Sequence, residues 1–182
     1  MEWPRPWYEV LWAPWRMTYI ASFSNKERRE GCFLCEAPRS PDLKSSLVVF
    51  RGQHSFVILN RYPYNTGHVM IAPYRHVPSL EDLTDDEMRE ISLLIKAVLQ
   101  ALRSVYRPEG FNVGVNIGDV AGAGVPGHVH VHVVPRWKGD SNYITVIGGA
   151  KVIAQTLEDT YDRLRPAVQE AARKYGVAEL QQ

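Results

Sequence analysis

From residue 47 the chain breaks into short apolar runs separated by turn-forming clusters: LVVFR at 47–51, HSFVILN at 54–60 and GHVMIAPY at 67–74. Runs of this length, rich in β-branched and aromatic residues, predict three β-strands joined by short links. The period then changes. Thr84-Asp85-Asp86-Glu87 reads as a capping box. Met88, Ile91, Ile95, Val98, Leu99 and Leu102 follow at three-and-four spacing, the apolar stripe of an amphipathic helix that should end near Arg107-Pro108. Alternation returns in FNVGVN at 111–116. It gives way to the glycine-rich GDVAGAGVPG at 118–127 and resumes in HVHVHVV at 128–134, a strand expected to end at Pro135. A last helix is expected over much of 151–174, with Pro166 marking a kink or break. Elements in this order, with hairpin-like links, predict an α+β domain with an antiparallel sheet of about five strands.

The flanks differ from this core, and the chain divides accordingly into 1–46, 47–139 and 140–182. Residues 1–16 hold four of the five tryptophans and three prolines, which suits an irregular arm packed for its aromatic surface. Residues 24–46 are polar, charged and punctuated by proline, a surface connection that needs something to order it. The 140–182 segment is read as an extension whose helix packs on the core.

Composition narrows the function. With 21 basic and 20 acidic side chains the formal net charge is +1, so the electrostatic footprint of a nucleic-acid or anionic-membrane binder is missing, while small anionic ligands fit. The longest uncharged stretch, Val120 to Pro135, is too short and too rich in glycine and histidine to span a bilayer, and the first residues lack a signal-peptide core. A cytoplasmic protein is the expectation. The two cysteines form CFLC, Cys32 to Cys35, a spacing that in a reducing compartment suggests metal or redox chemistry before a disulfide.

The remaining anomaly is HVHVHVV, which concentrates three of six histidines in five positions. In a strand, Val129, Val131 and Val133 line one face and His128, His130 and His132 the other. The valines suit a core. Three imidazoles on one face are expensive to bury without partners, and the adjacent glycines, Gly122 and Gly124 among them, let backbone N–H groups approach a ligand. A phosphate site is the economical reading. The alternative is a catalytic metal held by the His-x-His pairs, against which no carboxylate partner is apparent.

His128-Val-His130-Val-His132-Val133-Val134 resembles the histidine triad of the HIT superfamily, and ILNRYPYNTGHVMIAPYRH at 58–76 is similar to that family's strand-turn-strand. The likeness runs from about residue 47 to 139. The flanks LWAPWRMTYI, FNVGVNIG and PRWKGDSNYITVIGGAKVI resemble the branch that contains bacterial diadenosine tetraphosphate phosphorylases. The resemblance implies a HIT-like fold, sheet-paired in a homodimer, with the arm enlarging that interface or building a tetramer. It implies nucleotidyl transfer at an α-phosphate of a dinucleoside polyphosphate, with His130 as nucleophile, His132 on the phosphate or leaving oxygen and His68 completing the cluster. Asn60 would meet the ribose and Asn116 the phosphate, with Gly122 and Gly124 in the supporting loop.

Several HIT proteins with an amino-terminal Cys-x-x-Cys bind zinc, and the resemblance extends the set to Cys32, Cys35, His76 and His128. It implies no organic cofactor and is compatible with a divalent cation accompanying the nucleotide. Fragile histidine triad hydrolases carry glutamine where this chain has Gly124. That departure leaves room for inorganic phosphate as acceptor, which Arg136 and Lys138 would attract, so phosphorolysis is expected ahead of hydrolysis. The competing readings are a HIT hydrolase of dinucleoside polyphosphates or nucleoside phosphoramidates, a nucleotide-binding module without turnover, and a metal-dependent oxygenase or hydrolase. His54 is expected at the surface without a role.

Overall fold

The computed structural model describes residues 31–141, 143–148 and 152–180. The tryptophan-rich stretch 1–16, and the 24–46 connection up to residue 30, lie outside the described residues. Five strands form one sheet: β1 (Val48–Arg51), β2 (Ser55–Leu59), β3 (Val69–Pro73), β4 (Gly110–Val115) and β5 (Val131–Arg136). Every pairing is antiparallel and the order is β1-β2-β3-β5-β4. The histidine strand therefore has a neighbour on each side, with Met70 and Gly114 both opposite His132. Since Gly114 carries no side chain, the sheet is open beside that histidine.

The strand differs from expectation at both ends. It begins at Val131, because His128 to His130 lie outside the ladder, where His128 N–H turns back to Val125 O at 3.1 Å and Val129 N–H donates to Val77 O at 2.7 Å. It also runs through Pro135 to Arg136. Pairing with β3 stops at Val133, so Pro135 stands where only β4 flanks the strand and a missing donor is tolerated. The face assignment follows the alternation. Val131 and Val133 join the core with Leu94, Val98 and Leu102.

The long helix α2 (Asp85–Tyr106) starts at the expected capping box, Glu87 N–H donating to Thr84 Oγ1 at 3.3 Å and Thr84 N–H to Glu87 Oε2 at 2.8 Å. It ends at Arg107, whose φ of 48° is left-handed. Its buried face is rotated from the predicted stripe: Met88 is exposed, Ile95 and Leu99 are half-buried, and Glu87, Glu90, Leu94, Ala97 and Ala101 go inside with Ile91, Val98 and Leu102. Hydropathy excluded the two glutamates because it cannot see their partners. Glu87 pairs with Arg75 at 2.6 Å, and Glu90 accepts hydrogen bonds from the β1–β2 turn.

Residues 31–46 are more ordered than a surface connection. A single turn, α1 (Phe33–Glu36), and a 3-10 turn (Ala37–Arg39) follow the first cysteine, and Leu34 and Leu43 enter the core. A short α3 (Tyr143–Ile147) was not anticipated. The last helix, α4 (Leu157–Lys174), starts later than expected, at Thr156, and packs on α2 and β1. It runs through Pro166, which is exposed along with Asp162, so the carbonyl left without a partner can be hydrated. No described helix is long and apolar enough to cross a membrane.

Candidate active site and metal centre

The fold divides the histidine run between two sites. His128 is fully buried, and its Nε2 lies 2.9 Å from Pro73 O. A carbonyl only accepts, so Nε2 carries the proton and Nδ1 keeps its lone pair. That Nδ1 is 3.4 Å from Cys32 Sγ and 3.5 Å from Cys35 Sγ, and His76 Nδ1 is 3.4 Å from Cys35 Sγ. Tetrahedral coordination at ordinary Zn–S and Zn–N bond lengths requires S···N edges of about 3.5 Å. The four ligand atoms lie within 4.8 Å of one another. Donor set and spacing thus fit one tetrahedral metal ion. The helical turn that carries Cys32 and Cys35, the segment after β3 and the entry to the triad meet here. Gly127 permits it, since a Cβ at 127 would stand 2.9 Å from His76 Nε2. Sequence reading had not singled out that glycine.

His130 faces the other way, and its tautomer is also set by the backbone. Its Nδ1 lies 2.8 Å from His128 O, so Nδ1–H donates there and Nε2 is left with its lone pair. The next histidines are ordered in series. Tyr64 N–H donates to His68 Nδ1 at 3.0 Å, which puts the proton of neutral His68 on Nε2. His68 Nε2 lies 2.9 Å from His132 Nδ1 and donates to it, so His132 carries its own proton on Nε2. One face therefore presents a nucleophilic nitrogen from His130 beside an N–H donor from His132, with ring centroids 4.8 Å apart.

Gly67 makes the delivery of His68 feasible. Its φ is +80°, and a Cβ there would press on Leu102 at 3.1 Å and Tyr106 at 3.3 Å. Burial, then the neighbouring His132 and His130, lower the pKa of His68 to about 3. Burial and His130 lower that of His132 to about 4, and burial lowers that of His130. All three are neutral near pH 7. Depressed values extend the neutral form toward acid, so the acid limb of kcat/KM, which reports the free protein, should lie below the ordinary histidine value near 6.5. An acid limb centred at or above 6.5 would contradict this electrostatic picture.

The other expected residues are placed unequally. Asn60 lies at the site, Nδ2 3.4 Å from His68 Nδ1, with Oδ1 accepting from Tyr62 N–H at 2.9 Å. Asn116 is half-buried one residue past β4. Gly122 takes a φ of +85°, and a Cβ at Gly124 would meet nothing within 4 Å. Arg136 is not the free positive charge the sequence suggested: Asp140 holds it at 2.6 and 2.9 Å and Asn112 accepts a third bond at 2.7 Å. Its charge is largely offset. Pro63, Tyr64, Asn112, Val134, Arg136 and Ser141 line a cleft of about 400 Å³ next along the same face. His54 is exposed, as expected.

A five-stranded α+β sheet that carries a buried histidine with an unprotonated ring nitrogen, a histidine donor in relay and a Cys2His2 cluster defines a histidine-triad protein. The sequence model of the HIT domain matches residues 43–139. A protein of Mycobacterium tuberculosis named AP-4-A phosphorylase is 47% identical over 155 residues, covering 82% of this chain and 79% of its own. A Schizosaccharomyces pombe bis(5'-nucleosyl)-tetraphosphatase (asymmetrical) is 39% identical over 52% of each chain. Among solved structures, a zinc-bound histidine triad family protein of Mycobacterium smegmatis superposes with a TM-score of 0.60 at 22% identity, over 77% of this chain and 94% of its own, and shares the fold. The chain belongs to the HIT domain family.

Proposed function

We propose that this protein transfers a nucleotidyl group from the α-phosphate of a dinucleoside polyphosphate to inorganic phosphate by way of His130. The observation that carries the reading is the pairing of His130 Nδ1 with His128 O, which leaves Nε2 unprotonated and able to act as a nucleophile. That lone pair forms the P–N bond as the bridging P–O bond breaks. The leaving nucleotide takes the electron pair, and His132 Nε2–H hydrogen-bonds the departing oxygen. Phosphate then attacks the same phosphorus and the P–N bond returns its electrons to His130. Asn60 holds the ribose, Asn116 the phosphate, and the Gly122 and Gly124 backbone supports the developing charge. A metal shared by the whole triad is disfavoured, because both ring nitrogens of His128 are already committed, Nε2 to Pro73 O and Nδ1 to the cysteines.

Phosphate is the favoured acceptor for two reasons: the open volume around Gly124, and the 47% identity to a relative named as a phosphorylase. Arg136 supplies little of the attraction. With diadenosine tetraphosphate as substrate, products should be ADP and ATP at a rate that rises with phosphate. AMP and ATP at a rate indifferent to phosphate would make the protein a hydrolase.

The Cys2His2 cluster is proposed as a structural zinc site, closed by Cys32, Cys35, His76 and His128. When bound, zinc would clamp the Cys-x-x-Cys turn to the triad. Purified protein should carry about one zinc per chain, and Cys32→Ser should lower the melting temperature more than it lowers saturated turnover. Elemental analysis showing no metal in protein purified without chelator would remove the assignment. We further propose a cytoplasmic homodimer or tetramer. In the described sheet β4 is an edge strand with Val113 45% exposed, a suitable surface for pairing with a second copy.

A further inference from the structure

The edge of the sheet farthest from β4 holds a second cavity, of about 520 Å³, where β1, α4 and the segment after α4 converge. Its volume lies in the range of small-molecule sites. Among the described residues three guanidiniums line it, Arg51 at the end of β1 and Arg165 and Arg173 eight residues apart on α4, against one carboxylate, Glu179. Positions 165, 169 and 173 recur at helical spacing, so Arg165, Gln169 and Arg173 present one face to the cavity.

These arginines are held differently from Arg75 and Arg136. Arg75 and Arg136 make close contacts at 2.6 to 2.9 Å. Every contact of the cavity arginines is longer: Arg51 reaches Pro38 O at 3.4 Å and Leu180 O at 3.5 Å. Arg165 reaches Val48 O, Val49 O and Glu179 at 3.3 to 3.5 Å, and Arg173 reaches Gln169 O at 3.3 Å. Arg51 Nε is buried without a partner among the described residues. Good N–H···O bonds cluster near 2.9 Å, and a buried guanidinium donor left unpaired is costly, so planar donors converge here with much of their capacity unused.

We infer that this cavity binds a phosphate group, either free or on the tail of a small molecule, as a site separate from the histidine face. Guanidinium forks match phosphate oxygens in pairs, and three of them against one carboxylate leave the net positive potential an anion requires. The site is remote from the chemistry. β2 and β3 separate β1 from β5, which at strand spacing amounts to about 14 Å. Yet Arg51 also reaches Pro38, three residues past Cys35, so an occupant here would bear on the segment that carries the cysteine pair.

The test is a titration of the full-length protein with orthophosphate, with pyrophosphate and with methylphosphonate, following the arginine Nε–Hε cross-peaks by NMR. Arg51 and Arg165 signals should move together along one saturation curve in wild type and equally in His130→Ala. Arg173→Gln, a change at an exposed position, should weaken that curve at least about tenfold, the loss of one charge-assisted hydrogen bond. Tighter binding of pyrophosphate would assign the site to a polyphosphate tail, and equal binding of all three anions to a single phosphate group. Cross-peaks that stay fixed at anion concentrations saturating the histidine face, or a curve unchanged by Arg173→Gln, would overturn the inference.

Discussion

His130→Ala should reduce turnover of a dinucleoside polyphosphate by about 10⁴-fold or more while leaving nucleotide affinity within a few-fold of wild type. The size follows from the role: a nucleophile that forms the covalent intermediate cannot be replaced by its neighbours, so the two-step route is lost whole. His132 already commits its Nδ1 to His68 and carries its proton on Nε2, so it cannot substitute. Affinity persists because Asn60, the glycine loop and His132 remain. Denaturing wild-type protein during turnover of labelled substrate should trap an acid-labile phosphoramidate on His130. Retention of substantial activity by the alanine variant would end the covalent mechanism.

Glu90→Ala should be the most damaging single change to the frame that carries the site, by about 3–5 kcal/mol, seen as a drop in melting temperature of about 10 °C. The Glu90 carboxylate is buried and accepts from Gln53 N–H at 2.8 Å, His54 N–H at 2.8 Å, and Ser55 N–H and Oγ at 2.7 Å. Removing it leaves those donors stranded in the β1–β2 turn. It also empties the space against Gly52, where a Cβ would stand 2.7 Å from Glu90 Oε2. Glu90→Gln retains the volume and two or more of the acceptor bonds and should cost less than half as much. Chemical denaturation of the three proteins checks the order, and equal stability of Glu90→Ala and Glu90→Gln would show that the full acceptor set of the carboxylate, not the retained volume, dominates there.

Much of the frame was legible in the pattern alone. Strand alternation and the Thr84–Glu87 capping box are local: they depend on which residues lie two, three or four positions apart, and the structure places β1 to β5 and α2 close to where those spacings put them. What local spacing misses is whatever a distant partner supplies. Glu87 and Glu90 read as solvated and are buried, because Arg75 and the turn at 53–55 satisfy them. Arg136 read as a free cation and is paired, because the turn at 137–139 folds Asp140 back on it. β5 ran past its proline because its second neighbour had already ended.

The histidine run marks the same boundary. By itself the sequence determined that His132 lies on the strand face opposite the buried Val131 and Val133, since period-two alternation needs no knowledge of the rest of the chain. A tautomer depends on which atom lies within hydrogen-bond reach of each ring nitrogen. Pro73 O, His128 O and Tyr64 N–H come within that reach only once the sheet is assembled, and Cys32 and Cys35 meet His128 across more than 90 residues. Residue types and spacing thus specified which groups were available, while the tertiary structure alone decided that His128 turns a lone pair to the cysteines and His130 keeps one on Nε2.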